Sequence, residues 1–152
     1  FSPWLRAASA GLRPETYSDS PGPARSVATQ AYHQIMELTE FEAVVDEVLA
    51  ELPPWVVERI DNLHVVVEER PTREQIRTHG NLLGLYEGVM LADRGDHYFG
   101  AMPDKITIYR QPHLRMGLSP TRLRKQIRKT VLHEIGHHLG ISDERLHEIG
   151  WG

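Results

Sequence analysis

His133-Glu134-Ile135-Gly136-His137 puts two imidazoles and a carboxylate into five consecutive positions. On a helix, side chains four apart stack one turn above the other, so His133 and His137 can grip one metal ion together. Glu134 lies about 100° further round the axis, so it flanks such a metal instead of binding it. That position suits a general base acting on a metal-activated water. A catalytic zinc needs a third protein donor and one open position. Gly140 lets the chain reverse out of the helix, and Asp143 can then return to the metal from the other side. An acid at 143 also suits the helix dipole in the first turn after Ser142, and the two roles are compatible. His147, one turn beyond Asp143, is the alternative third donor, or an electrophile for a developing oxyanion. HExxH arises by accident in roughly 5% of chains of this size and composition, and the whole string HExxHxxGxxD in about 2 in 10,000. The longer string is therefore read as chemistry.

Composition narrows the donors further. The 152-residue chain has nine histidines and no cysteine, so imidazole and carboxylate must hold any metal. Disulfides, thiolate sites and cysteine nucleophiles are excluded. Absence of cysteine fits a reducing, cytoplasmic setting. The net charge of −4 argues against a general nucleic-acid binder. No run approaches the apolar length that a transmembrane helix needs, so no membrane partner is expected. A basic stretch from Lys105 to Lys129 holds eight Lys and Arg and no acid. It reads either as a site for acidic ligands or, as the net charge favours, as a solvent face balanced by Glu37, Glu40, Glu42, Asp46, Glu47 and Glu51.

These residues need a scaffold. Thr39 has the spacing to cap a helix with Glu42, and Phe41, Val44, Val45, Val48 and Leu49 follow at helical intervals. Pro53-Pro54 ends that helix or restarts it at Trp55. Leu63–Val67 is a β-branched strand in which His64 packs. Thr72–Thr78 forms a short helix. Leu82–Leu91 reads as a strand with room for a bulge at Gly84 or Gly88. Residues 92–104 are a polar loop, and Lys105–Arg110 is a strand with Ile106 and Ile108 on one face. Ser119-Pro120 opens a long helix that carries the motif to Leu139. His138 falls on that helix's apolar stripe and reads as a packed core residue. Tyr86 and Tyr109 have packing roles by default, with hydrogen bonding to a tetrahedral intermediate as the alternative. Ser142 caps a last short helix. The order predicts an α+β fold, a small mixed sheet packed on helices that include the one carrying HExxH.

Residues 1–35 are rich in Pro, Gly and Ser and lack apolar periodicity. They are read as an extension or leader without its own core or signal-peptide segment, and 36–152 as the domain, with Met36 a plausible start. Such a segment is ordered by contact. It either lies in or beside the active-site groove of its own or a neighbouring chain, or packs on an apolar surface through Trp4 and Leu5.

The string His133 to Asp143, preceded by Leu83-Gly84-Leu85-Tyr86-Glu87-Gly88 and Ile106-Thr107-Ile108-Tyr109-Arg110, resembles the bacterial mini-zincins, small metallopeptidases with the Asp-zincin motif. The resemblance covers about residues 39–150. It implies a minimal zincin-like fold, one Zn2+ held by His133, His137 and Asp143, and Glu134 as catalytic base. The expected function is zinc-dependent hydrolysis of peptide or protein substrates, with an extended peptide pairing to a sheet edge. The alternatives are a metal-binding regulatory or interaction module on the same scaffold, and a zinc hydrolase acting on a non-peptide amide.

Overall fold

The computed structural model describes the backbone of residues 5–7 and all of residues 36–96 and 102–152. Helix α1 (Leu38–Ala50) buries Phe41, Val44, Val45, Val48 and Leu49, the five positions at helical spacing. It begins one residue before Thr39, with Glu37 at the N-cap and no side-chain cap bond. The Phe41 amide is satisfied by the Glu37 carbonyl instead. Pro53 and Pro54 do restart the helix, as the single turn α2 (Pro54–Val57). Strand β2 (Leu63–Glu68) follows. Helix α3 (Arg73–His79) is closed by a full capping box, with Thr72 and Gln75 each bonding the other's backbone amide. Such a cap contributes about 1 kcal/mol.

Strand β3 is shorter than the aliphatic run implied, covering Gly84–Glu87, and a single 3-10 turn follows at Leu91–Asp93. Strand β4 is Asp104–Tyr109, and Arg110 opens a further short helix, α4 (Arg110–Leu114). The alternating pattern carries Arg110 into the strand on paper. In the fold its guanidinium is buried, donating to the Met36 carbonyl and pairing with Glu69. Helix α5 (Pro120–His138) starts at the Ser119 cap with Pro120 at its first position. Gly140 reverses the chain at φ 77°, in the left-handed region that glycine adopts at least cost. Helix α6 (Asp143–Glu148) is capped by Ser142.

The strands form one mixed sheet. Its first member, β1 (Leu5–Ala7), pairs in parallel with Val65–Val67, and the order is β1-β2-β4-β3. β2 and β4 are parallel, and β3 runs antiparallel to β4 with Gly84 opposite Ile108 and Tyr86 opposite Ile106. This is the expected α+β arrangement. β1 lies on the edge away from β3. The remainder of residues 1–35, including Trp4, falls outside the described residues, so the idea of groove occupancy does too.

The core is built where two periodicities meet. Leu63, Val65 and Val67 alternate along β2, Ile106 and Ile108 along β4, and both sets pack with α1 and with Leu123, Ile127, Val131 and Ile135 of α5. His64 belongs to the opposite set and is exposed, contrary to the packed role expected of it. Arg124 pairs with Glu40 and Glu47, and Arg128 with Glu51. That part of the basic stretch is a charge-balanced face between α5 and α1. No helix among the described residues is long and apolar enough to cross a membrane.

Candidate metal centre

His133, Glu134 and His137 all lie on α5, and Asp143 opens α6. One ligand atom from each of His133, His137 and Asp143 falls within 4.8 Å of the others. Asp143 Oδ1 is 2.9 Å from His137 Nε2 and 3.8 Å from His133 Nε2. The two imidazole rings are 4.5 Å apart between centroids. Two donors at about 2.1 Å from one tetrahedral zinc stand roughly 3.4 Å apart, so the spacing of this trio fits such an ion.

A close helix contact brings Asp143 back. Gly136, between the two histidines, faces Leu146 of α6, and a Cβ there would lie 2.2 Å from Leu146 Cδ2. Only a residue without a side chain lets α6 approach so nearly. His133 is oriented by a main-chain group: its Nδ1 lies 3.2 Å from the Trp151 carbonyl. Donation to that oxygen leaves Nε2 free for a metal, the usual arrangement for a metal-binding imidazole. Trp151 is itself held by its amide on the Leu146 carbonyl and by stacking on Trp55. A backbone carbonyl carries no residue-type signal, so the sequence could not reveal this partner.

The electrostatics favour a cation here. The Glu134 carboxylate at Nδ1, 3.4 Å away, and then Asp143 at Nε2 push His137 up to about 9 against the effect of its burial. His137 in turn holds the exposed Asp143 below the usual carboxylate range. A divalent cation at Nε2 would take the place of the proton shared with Asp143. Glu134 is 7% exposed. It borders the edge strand, since a Cβ on Gly84 would lie 2.9 Å from both Glu134 Cγ and Thr130 Cγ2.

The other candidates fall elsewhere. His147 is exposed on α6 and is not in the donor cluster. Tyr109 is fully buried, donates to Gln75, and is pushed to about 12 by burial and by the charges of Glu68 and Glu87. Tyr86 donates to Asp104 and packs edge-on against His138. His138 is fully buried, as the apolar stripe implied, yet it also hydrogen-bonds Asp104 through Nδ1 at 2.9 Å. Desolvation alone would raise Asp104. Donors from Tyr86, Val89, Arg94 and His138 outweigh it and hold the carboxyl below its ordinary value. Burial lowers His138 despite that anion.

A family model described as a zincin-like metallopeptidase matches residues 60–151. No curated protein matches the chain in sequence.

Proposed function

The chain belongs to the zincin-like metallopeptidase family, and from that premise we propose a zinc-dependent peptidase with one zinc per chain, held by His133, His137 and Asp143. Residues 36–152 are then the peptidase domain and residues 1–35 an extension of it. The observation that carries the reading is the convergence of the three donor atoms within 4.8 Å, beside a carboxylate that is not one of them. When bound, zinc supplies Lewis acidity, polarising the scissile carbonyl and lowering the pKa of water to about 7.

The chain's own residues do the rest. Glu134 takes the proton from the attacking water and hands it to the leaving amine nitrogen, so one carboxylate serves as base and then acid. Its burial and its contact with His137 Nδ1 hold it beside the donor cluster. The substrate lies extended along β3, which pairs with β4 on one side and with no described strand on the other. Main-chain hydrogen bonds to that edge position a peptide whatever its side chains. Gly84 puts the edge directly beside Glu134.

The test is metal analysis followed by digestion of a broad peptide library. One zinc per chain and removable, zinc-restorable cleavage are expected. Asp143→Ala should weaken zinc binding markedly with the fold intact, whereas His147→Ala should not. The opposite pattern would transfer the third-donor role to His147. Zinc binding without cleavage of any library member would leave a metal-binding module.

A further inference from the structure

A groove of about 850 Å³ opens where β3 begins. Its walls are the start of α3, the segment leading into β3, and the end of α4. Arg70, Arg73 and Arg115 line it together with Ile76, Leu83 and Met116, and no acid does. Arg94, Arg110, Arg124, Arg128 and Arg145 each have a carboxylate partner. No ion pair joins Arg70, Arg73 or Arg115 to any described residue. Three exposed guanidinium groups with no described carboxylate partner, bordering an apolar floor, suit an anion with aliphatic neighbours. Ile76 and Met116 are 44% and 43% exposed, although both are large and apolar.

The groove continues the peptide track. Leu83, in its wall, immediately precedes Gly84, the residue set against Glu134. The Leu83 carbonyl still bonds Tyr109, so the strand-like path runs unbroken between them. An extended peptide advances about 3.3 Å per residue, so one running from the position opposite Gly84 past Leu83 enters the groove within a few residues. The lining holds no aromatic residue on which a nucleobase could stack, which favours a peptide over a nucleic acid.

We propose that this groove is a substrate subsite selecting peptides that carry acidic residues flanking an aliphatic one, a few positions from the scissile bond, with Arg70, Arg73 and Arg115 as the specificity-determining residues. The proposal rests on the peptidase reading for its placement of the cleavage point, but occupancy of the groove can be measured without cleavage.

The experiment is calorimetric titration of zinc-loaded Glu134→Gln protein with two unlabelled dodecapeptides that differ only in a central Glu-Leu-Glu or Lys-Leu-Lys. The acidic peptide should bind at least fivefold more tightly, and 0.5 M salt should erase most of that preference. In the Arg73→Glu/Arg115→Glu background the preference should invert. Equal binding of the two peptides, or a preference untouched by the double substitution, overturns the proposal. Should the double variant melt early, the salt titration of the parent decides alone, and a salt-independent preference overturns it. Tighter binding of a single-stranded oligonucleotide than of the acidic peptide also overturns it. Wild-type protein that cleaves both peptides equally refutes the subsite and leaves the peptidase. Protein that binds with the expected preference but cleaves neither these peptides nor any library member refutes the peptidase and leaves the subsite.

Discussion

Gly136→Ala tests how the third donor is brought to the site. The new Cβ would lie 2.2 Å from Leu146 Cδ2 and 3.1 Å from Cδ1. Carbon atoms in ordinary contact are about 3.5–4.0 Å apart, so the pair must separate by roughly 1.3–1.8 Å. Leu146 is fully buried, so turning its side chain aside would press on other core atoms. Where α6 moves instead, its first residue, Asp143, moves with it. Zinc–carboxylate bonds of about 2.0–2.2 Å tolerate only ~0.2 Å, so a shift above 1 Å removes the carboxylate from any ion held by the histidines. Stability moves less, because two effects oppose each other. Alanine gains about 1 kcal/mol of helix propensity over glycine, while overpacking costs about 1–3 kcal/mol. The balance is a loss of about 0–2 kcal/mol, or a melting point lower by at most ~8 °C. Zinc affinity, read by competition with a chelator, should fall about 10–100-fold, the range seen when supporting groups around a metal are disturbed. An unchanged zinc affinity together with a raised melting temperature would mean that propensity alone was felt, and the close-approach reasoning would be refuted.

Three further outcomes are expected. Glu134→Gln should keep its zinc and lose about 10²–10⁴-fold in peptide hydrolysis, measured as kcat on any library substrate, and equal rates would remove the base assignment. Gly84→Val crowds Glu134 and Thr130 from the edge strand, so hydrolysis should drop while zinc affinity, measured by the same chelator competition, stays within a few fold. Burial lowers His113 to about 4 against the pull of the Tyr109 carbonyl at its Nδ1. The unfolded chain takes up that proton near pH 6.5 and the folded chain only near 4, so stability rises with pH across this window and is lost as pH falls through it. About 3 kcal/mol should disappear between pH 7 and pH 4 in urea unfolding, and a flat profile would contradict the neutral buried imidazole.

Legibility from sequence followed the distance over which each feature is encoded. The donors sit in one eleven-residue string because a helix makes i and i+4 neighbours, and the Ser119 and Ser142 caps are equally local. Apolar spacing located the buried face of α1 for the same reason, although its N-cap is Glu37, two residues before Thr39. Features set by partners far along the chain were not legible. Arg110 leaves the strand because Met36 and Glu69 receive its guanidinium. His64 is exposed although Val66, on the same side of β2, is buried, a difference the strand's alternation does not carry. Arg115 differs from Arg124 and Arg128 in the same basic stretch only through what faces it, which no count of charges reveals. Gly84 signalled a bulge at best and Gly136 signalled nothing, whereas each permits one close approach that only the fold reveals.

The buried polar knot around Asp104 completes the mechanical argument. On β3, Gly84 faces Glu134 and Tyr86 faces His138. Two residues of strand advance about 6.6 Å and four residues of helix about 6 Å, so edge strand and active-site helix keep step along their lengths. Close contact fixes the near end of this pair. The far end is fixed by Asp104, which accepts from Tyr86 on β3, from Val89 and Arg94 just beyond it, and from His138 at the end of α5. Arg94 also reaches Asp61, tying in the turn before β2. A buried carboxylate without such donors would be costly, so the knot holds as a unit or opens as one. The strand that would carry a peptide therefore cannot drift from the base without uncovering an ionised Asp104. That coupling gives a short, four-residue edge strand the fixed position that cleavage chemistry requires.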